Sequence, residues 1–217
     1  MATRLSVLVG INQLIVNFYI FANMNNTITN SINESIATKQ LFVSDKKNIE
    51  LTKNVANHCI NTFKNNGKVL LCGNGGSAAD AQHIAAELSG RFNYDREPLY
   101  AEALHVNTSY ITAVANDYGY DHVFSRMIKA AGKKGDVFIG ISTSGNSQNV
   151  INAIIEAKKQ GMITVGFTGD SGGKIDELVD VCIKAPSKNT ARIQEVHLLV
   201  GHVICEEIES TLFPLDL

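Results

Sequence analysis

The sequence predicts an α/β fold in which a doubly wound parallel sheet is flanked by helices, with helices before the sheet and a long C-terminal helix. Short apolar runs, such as residues 69–72 and 137–141, alternate with longer helical patterns along most of the chain. This alternation is typical of parallel strands joined by right-handed helical crossovers. The length of 217 residues suits one α/β domain with appended helices, and a hydrophobic content of 45% is enough to build a full core.

The chain begins with an apolar stretch that differs in composition from the rest of the sequence. Residues 5–22 have the hydropathy of a signal sequence or a membrane span, but polar residues such as Asn12 and Asn17 interrupt them, and no clean cleavage pattern of small residues comes after them. A second methionine, Met24, precedes a polar, helix-like sequence. We interpret residues 1–23 as an extension foreign to the functional domain, with a docking or membrane-associating segment as the alternative.

Two amphipathic helices are predicted within residues 24–66, before the first strand. The first covers residues 27–42 and the second residues 45–65, each with an apolar stripe at helical spacing. These helices have nothing of their own to bury against, so we expect them to pack on the sheet or on another subunit. Residues 67–217 are predicted to form the main domain, and residues 24–217 together one structural unit.

The remainder of the chain alternates strands and helices. The predicted strands cover residues 69–72, 99–106, 137–141, 162–167 and 179–184, and the predicted helices cover residues 78–88, 108–116, 121–130, 148–160, 172–178 and 189–212. The last helix is apolar nearly all round, so we expect it to be central in the domain or to form a subunit interface.

The turn at residues 73–77 comes directly after the first strand and has almost no side chains, so a ligand can approach its backbone closely. Ser77 is predicted to cap the next helix, whose free N–H groups would form an anion site. Ala78 stands where the dinucleotide pattern G-x-G-x-x-G has its third glycine, and the turn is far from the P-loop pattern. The sequence therefore favours a phosphorylated substrate over a nicotinamide or ATP site.

A second turn of this kind, residues 142–147, also joins a strand to a helix. It offers four hydroxyls together with backbone N–H groups, and it contains no lysine or arginine. The hydroxyls belong to Ser142, Thr143, Ser144 and Ser147. Hydroxyls and amides can hold a phosphate monoester without a fixed cation. Both turns succeed strands at the carboxyl edge of the sheet, where open α/β sheets bind ligands. We predict that this turn holds a phosphate, or the hydroxyls of a sugar, and that the glycine turn lets the rest of the substrate pass close to its N–H groups.

Histidine and carboxylate side chains form candidate sites on two helices. His83 and Glu87 are four residues apart and share a helix face, either as an exposed pair or as part of a site. Gln194, His197 and His202 interrupt the apolar final helix, where burial requires hydrogen bonds or a metal. A single histidine there is most often a core residue, but two histidines and a glutamine favour a site.

Composition narrows the class of protein. The formal net charge of −2 gives no indication of binding to nucleic acid or to an anionic membrane. The four cysteines are scattered and form no C-x-x-C pair. We therefore interpret them as reduced, small hydrophobic residues in a cytoplasmic protein.

Five motifs in chain order resemble the sugar isomerase (SIS) domain, and within it the phosphoheptose isomerases. They are CGNGGS at 72–77, HIAAEL at 83–88, ANDYG at 115–119, STSGNS at 142–147 and RIQEVH at 192–197, the last followed by His202. The resemblance covers residues 68–209 and implies an SIS-type, flavodoxin-like sheet. It also implies an aldose–ketose isomerase that interconverts sedoheptulose 7-phosphate and D-glycero-D-manno-heptose 7-phosphate through an enediol or enediolate. Such enzymes serve bacterial heptose biosynthesis, for lipopolysaccharide core or capsule. Members are similar in being homotetramers with active sites between subunits and one zinc ion per site.

The same resemblance implies roles for single residues. The zinc-binding positions are matched by His83, Glu87, Gln194 and His202. The acid–base pair is matched by Glu87 and His202. The substrate-contacting positions are matched by Asn74, Gly75, Gly76, Glu87, Asn116, Asp117, Ser142, Thr143, Ser144, Ser147 and Gln194. The chemistry agrees, because moving a proton between C1 and C2 needs a base, a partner for the oxygen-bound proton and stabilisation of the enediolate charge. A carboxylate and an imidazole suit the first two tasks, and zinc could supply the third as a Lewis acid.

The spacing of two predicted ligands raises a geometric problem. Gln194 and His202 lie eight residues apart, which is about 12 Å along a helix. Direct ligation of one ion by both from a single straight helix would be strained. We therefore expect the site to draw residues from more than one subunit.

Three alternatives share the predicted fold. A non-catalytic SIS protein that binds the replication initiator DnaA is similar in the RIQE motif at 192–195 and in the tail at 211–214, but that group lacks the acidic residue matching Glu87. A sugar-phosphate-sensing regulator would need a DNA-binding domain, and none is recognisable in the sequence. Another aldose–ketose isomerase or an aminosugar phosphate enzyme is also compatible, because fold alone does not fix the substrate.

Overall fold

The computed structural model describes residues 26–215. The strands are β1 (Val69–Gly73), β2 (Ala101–Ala103), β3 (Val137–Ile141), β4 (Ile163–Thr168) and β5 (Val181–Lys184). The helices are α1 (residues 26–44), α2 (Lys46–Lys64), α3 (Gly76–Ser89), α4 (Thr108–Tyr118), α5 (Val123–Ala131), α6 (Gln148–Lys159), α7 (Gly173–Asp176) and α8 (Thr190–Leu212), with a 3-10 turn at Tyr120–His122 before α5. Each predicted strand and helix is therefore present. The predicted extension at residues 1–23 lies outside the described residues.

All five strands of this sheet are parallel and have the order β2-β1-β3-β4-β5. This is the strand order of a flavodoxin-like doubly wound fold, which confirms the predicted fold class. β1 and β3 are paired along their whole length, from Val69 opposite Val137 to Gly73 opposite Ile141. No helix in the range 26–215 is long and apolar enough to cross a membrane.

Two hydrophobic cores lie on opposite faces of the sheet. Leu71 of β1 faces the core closed by α2, α3 and α8, which contribute Ile84 and Val196 among others. Leu70 faces the other core, closed by α4, α5 and α6, with Phe124 as its neighbour there. Successive side chains of a strand point to opposite faces, so a sheet covered on both sides requires continuous apolar runs. α8 packs against both α2 and α3, which confirms its central position.

The structure corrects two predicted helix starts, the one after Ser77 and the one at residue 121. Ser77 does not cap α3, because it lies buried in the first turn while Gly75 occupies the cap position with a φ of 56°. A residue with a side chain rarely adopts a positive φ, so the turn places a glycine where a capping hydroxyl was expected. Asp121 lies within the 3-10 turn, and α5 begins at Val123 without a side-chain cap.

The strand predicted at residues 99–106 forms only the three-residue β2. β2 lies at the edge of the sheet and pairs with β1 alone. Before it, the Leu99 N–H donates to the Leu88 carbonyl at the end of α3 (3.1 Å), and after it the Val106 N–H donates to the Ala103 carbonyl (3.3 Å). The ends of the apolar run therefore bond to a helix and to a turn instead of to a strand.

The two N-terminal helices differ in what covers them. α2 packs against α8 and β5, which confirms for this helix the expectation that it packs on the domain. α1 anchors Phe42 in the core, but its residues Ile28, Ile32 and Ile36 are 55%, 56% and 50% exposed. The apolar stripe of α1 is therefore open to solvent in the described part of a single chain. Packing of this helix on another subunit stays a prediction.

Candidate active site

The turns at residues 73–77 and 142–147 lie side by side at the carboxyl edge of the sheet. β1 and β3 are adjacent, with Gly73 opposite Ile141, so the turns at their ends are neighbours. After β1 the chain crosses to β2 on one side, and after β3 it crosses to β4 on the other. Doubly wound sheets bind their ligands at this reversal of strand order, in the crevice between the two crossovers.

Close packing and backbone geometry explain the glycines of the first turn. A Cβ on Gly73 would overlap the backbone of Ser77, and a Cβ on Gly76 would overlap the side-chain amide of Gln194. Gly75 has open space around it but a positive φ. The turn thus brings the start of α3 against α8 while leaving backbone at Gly75 exposed to a ligand.

The side chain of Asn74 joins the first turn to the start of α6, which comes directly after the second turn. Its amide nitrogen donates to Asn149 Oδ1, and the Asn149 amide nitrogen donates back to Asn74 Oδ1, both over 2.9 Å. Tyr120 adds a hydroxyl that donates to the same Asn74 oxygen over 3.1 Å. Sequence reasoning missed Asn149 and Tyr120, since their positions in a first helical turn and a short 3-10 turn carry no motif. Because the Asn74 side chain is engaged in this way, its predicted contact with substrate is best made through its backbone.

The hydroxyls of the second turn lie close to one another. Ser142 Oγ is 2.9 Å from Ser147 Oγ and 3.5 Å from Ser144 Oγ. Thr143 is half-buried, and its carbonyl accepts from the Gly169 N–H (3.0 Å), which fixes the turn to the loop after β4. Ser147 precedes α6 without a side-chain capping bond, so N–H groups at the start of that helix are available to an anion. The turn has the donors that a phosphate requires.

Three of the predicted metal ligands meet at the interface of α3 and α8. His83 Nε2 lies 2.8 Å from His202 Nε2 and 3.2 Å from Glu87 Oε1. One ligand atom from each residue lies within 4.8 Å of the others, which is close enough to hold one metal ion. Two imidazoles and a carboxylate are a donor set that suits zinc and leaves a position open for a substrate oxygen.

Gln194 lies elsewhere on α8. Its amide contacts Gly76 at the start of α3, seven residues before His83 in that helix. It also precedes His202 by eight residues, about 12 Å along α8. Within one chain the structure therefore brings together three of the four predicted ligands, and the expectation of a site shared between subunits stays a prediction.

Asn116 and Asp117 lie at the C-terminal end of α4. Both are exposed, and the Asn116 amide donates to Asp117 Oδ1 over 2.9 Å. Gly119 ends the helix with a φ of 87°. The chain then leads to Tyr120, whose hydroxyl reaches Asn74. This segment borders the crevice through Tyr120, and direct contact of Asn116 and Asp117 with substrate stays a prediction.

Two further ionisable groups lie beside the site. His197 is fully buried, with Nε2 2.9 Å from the Thr168 carbonyl, and burial lowers its pKa to about 4, so it is a neutral core residue. Asp80, which sequence reasoning missed, lies one turn before His83 on α3. Burial raises the pKa of Asp80 to about 6, against the opposing effect of His83. The sequence signal that could have indicated Asp80 is its position one helical turn before His83 in the same predicted helix.

Phe92 is a fourth residue that sequence reasoning missed. Its ring centroid lies 5.7 Å from that of His202, in the loop that comes after α3. The ring therefore limits the space around His202. An aromatic residue in a polar loop gave no distinctive signal in the sequence.

Known proteins share both the sequence and the fold of this chain. The family model of the SIS domain matches residues 32–169. A phosphoheptose isomerase of Aneurinibacillus thermoaerophilus is 51% identical over 190 residues, which cover 88% of this chain and 96% of that protein.

Two solved structures are similar along most of the chain. A phosphoheptose isomerase from Neisseria gonorrhoeae has a TM-score of 0.81 and 45% identity, covering 86% of this chain and 99% of that one. A phosphoheptose isomerase from Francisella tularensis has a TM-score of 0.82 and 34% identity, covering 85% of this chain and 97% of that one.

Proposed function

The chain belongs to the phosphoheptose isomerases of the SIS domain family, and from that premise we propose that it interconverts sedoheptulose 7-phosphate and D-glycero-D-manno-heptose 7-phosphate. The observation that carries the proposal is the meeting of His83, Glu87 and His202 on helices whose ends reach the crevice. Its relatives are named as isomerases, so the alternative of a non-catalytic protein that binds DnaA has no support among them.

The reaction moves one proton between C1 and C2 of the open-chain sugar. We assign Glu87 as the base that takes the carbon-bound proton and His202 as the group that handles the oxygen-bound proton, with the roles exchanged in the reverse direction. The two side chains both lie next to His83 Nε2, so one substrate carbon–oxygen unit can contact both. Each proton transfer then occurs over hydrogen-bonding distance without movement of the helices.

A zinc ion, one per active site, belongs to the same proposal. His83, Glu87 and His202 would hold it, with Gln194 as the fourth predicted ligand, and a bound zinc supplies Lewis-acid stabilisation of negative charge on the enediolate oxygen. The two roles of His202 compete for its Nε2 atom. Measuring activity before and after a chelator removes the metal separates the two roles of His202, because removal of the ion abolishes metal binding but leaves the imidazole able to transfer a proton.

The remaining predicted residues bind the substrate. Ser142, Thr143, Ser144 and Ser147, with the N–H groups at the start of α6, would hold the phosphate. The backbone of Asn74, Gly75 and Gly76 would lie along the sugar, and Gln194 would contact it from α8. Asn116 and Asp117 would close the far side of the crevice.

Self-association into a homotetramer with shared active sites is the third part of the proposal. The exposed residues Ile28, Ile32 and Ile36 of α1 continue into Leu199 and Val203 of α8, which are also exposed. A groove where α1, α2 and α8 meet is lined almost entirely by apolar atoms. A surface of this kind suits burial against a second copy. A neighbouring copy could then bring its own Gln194 or Asn116 to the three-residue cluster.

Cellular context follows from the proposed reaction. Cys59, Cys72, Cys182 and Cys205 are free, which agrees with a reducing compartment. We place the reaction in the cytoplasm, in heptose biosynthesis for lipopolysaccharide or capsule. Residues 24–217 would act as one unit in it, since α2 packs on α8, and residues 1–23 would be dispensable.

Conversion of sedoheptulose 7-phosphate by wild type, Glu87→Gln and His202→Ala tests the proposed function. We expect activity in wild type and less than about a hundredth of it in both variants, because acid–base groups typically contribute about 10²–10⁴-fold. Glu207→Gln, an exposed carboxylate on α8, is the control and should retain full activity.

Two results would count against these assignments. Full activity in Glu87→Gln would contradict Glu87 as the base. A wild-type protein that turns over a different sugar phosphate, but not sedoheptulose 7-phosphate, would favour another isomerase of the same fold.

A further inference from the structure

A buried ion pair lies beneath the loop that connects α3 to β2. Arg96 Nε is 3.1 Å from Glu209 Oε1, and the two side chains are only 2% and 1% exposed. Arg96 belongs to the loop, whereas Glu209 belongs to α8. Burying two charges is costly unless further hydrogen bonds satisfy both, so the partners of each group show what the pair holds in place.

Glu209 holds the beginning of the loop. Its Oε1 accepts from the Phe92 N–H over 2.9 Å, and its Oε2 accepts from the Asn93 N–H over 2.6 Å. Burial opposes ionisation of Glu209, but these N–H groups together with Arg96 outweigh it and lower the pKa. The ionised carboxylate therefore fixes the backbone of Phe92, whose ring lies 5.7 Å from the His202 ring.

Arg96 holds the end of α3. Its Nη2 donates to the Glu87 carbonyl over 2.8 Å, and its Nη1 donates to the carbonyls of Leu88 (2.8 Å) and Gly90 (3.0 Å). Carbonyls in the last turn of a helix have no partner within the helix, and a positive charge is favourable at that end. A guanidinium can donate hydrogen bonds to these carbonyls and to Glu209 at the same time, because its N–H donors are arranged in a planar fork.

We infer that Arg96 and Glu209 are positioning residues for the proposed isomerase site. The pair fixes the backbone of Glu87 through Arg96 and the ring beside His202 through Glu209, so both members of the acid–base pair depend on one contact. His202 and Glu209 are seven residues apart on α8 and share a face. This inference rests on the proposed function, since it assigns no new chemistry to the site.

Asp136 offers a matched control for Glu209. It is another buried carboxylate with a basic partner, Lys68 (2.8 Å), and it accepts from the N–H groups of Lys68 (3.0 Å) and Lys133 (2.9 Å). It precedes β3, so it lies at the amino edge of the sheet, opposite the crevice. Glu209→Gln and Asp136→Asn therefore remove the same charge from similar surroundings, one beside the site and one remote from it.

The test compares kcat and KM for sedoheptulose 7-phosphate in wild type and these two variants, under conditions where all remain folded. We expect Glu209→Gln to lower kcat by about 10- to 100-fold, because small displacements of reacting groups have effects of that size. KM should change little, since the serine turn that holds the phosphate is untouched. Asp136→Asn should lower the melting temperature to a similar degree but leave kcat near that of wild type.

Two more variants keep the inference testable if Glu209→Gln does not fold. Phe92→Leu removes the ring beside His202 but keeps the N–H that Glu209 accepts, and we expect it to lower kcat with little change in melting temperature. Arg96→Lys keeps the positive charge but not the planar set of guanidinium donors. It should retain more activity than Arg96→Met, which loses both. Equal kcat in wild type and Phe92→Leu, or equal loss in the two Arg96 variants, would contradict the inference.

Amide deuterium exchange of residues 84–97 separates this inference from the proposed function. Uptake should rise in Glu209→Gln but not in Asp136→Asn. Unchanged uptake would show that the pair does not hold these segments, and raised uptake with unchanged kcat would show that holding them does not serve catalysis. A wild-type protein without isomerase activity would contradict the proposed function, while the exchange data would still decide whether the pair fixes the loop and the end of α3.

Discussion

His197 and His202 lie five residues apart on α8, and their surroundings give them different roles. His197 is fully buried beside Phe167 and bonds to the Thr168 carbonyl, so the neutral ring is part of the core. His202 is half-buried and meets His83. At the scale of a residue, the surroundings therefore distinguish a histidine that is closed off by the core from one that remains accessible for the proposed chemistry.

The buried histidine should make stability depend on pH. Its pKa falls from the usual 6.5 to about 4 on burial, so the unfolded chain binds the proton more readily and stability present above pH 6.5 is lost as the pH falls towards 4. His197→Gln keeps a donor for the Thr168 carbonyl but cannot titrate. Between about pH 7.5 and about pH 5, we expect wild type to lose about 2 kcal/mol more free energy of unfolding than this variant. Urea unfolding at a series of pH values measures the difference, and parallel losses would contradict it.

α3 is the element on which most of the candidate site depends. Its start requires small residues, because Gly73 and Gly76 approach Ser77 and Gln194. Its C-terminal end requires a cation, because Arg96 donates hydrogen bonds to the carbonyls of the last turn. Between these ends, the helix presents His83 and Glu87 to α8 in a fixed register. The helix can therefore place these two proposed site residues only if both of its ends are held.

Alanine at two glycines should have different effects. A Cβ on Gly73 would meet the Ser77 backbone, which cannot move alone, so we expect Gly73→Ala to destabilise by about 1–3 kcal/mol. A Cβ on Gly76 would meet the end of the flexible Gln194 side chain, so Gly76→Ala should cost less stability but displace Gln194 and reduce isomerase activity. Denaturant unfolding and kinetic assays of both variants provide the comparison. Full activity in Gly76→Ala would show that the position of Gln194 is unimportant.

At the scale of the whole molecule, the surface formed by α1 and α8 is more apolar than the surface of a monomer ordinarily is. The stripe of α1 and the neighbouring face of α8 expose apolar side chains that a folded chain ordinarily covers. The same α8 carries His202 and Gln194, so a second copy seated on this surface would approach the site. Assembly and the completeness of the active site are therefore linked in the proposed tetramer.

Charge on the α1 stripe should disrupt that assembly. We expect the double variant Ile32→Asp and Ile36→Asp to sediment as a smaller species than wild type, because burial of two charges in an apolar interface is unfavourable. Asn33→Asp places a single negative charge on an exposed position of the same helix beside the stripe and should leave the assembly intact. Analytical ultracentrifugation measures the result. A monomeric wild type would contradict the proposal of a tetramer.

Local patterns of sequence were sufficient to predict the strands and helices of the fold. The apolar run at 137–141 is β3 as predicted, and the spacing of apolar residues located α2 and α8 within one residue at either end. Helix starts were less predictable: at Ser77 and Asp121 a residue suited to capping was present, but the backbone angles of the tight turns moved the boundary. A cap depends on φ and ψ at one position, which the residue type alone does not determine.

The sequence by itself determined the parallel sheet, the two turns at its carboxyl edge and the side chains suited to acid–base and metal chemistry. Each can be deduced from periodicity or from residue type within a few positions. The resemblance also assigned His83 and His202, 119 residues apart, to one site. Only the tertiary structure decided that these two imidazoles meet within one chain, that Gln194 contacts Gly76 instead, and that Arg96 and Glu209 form a pair beneath the site. These contacts depend on the register of α3 against α8, which is fixed by the packing of the core between them and leaves no mark on either helix alone.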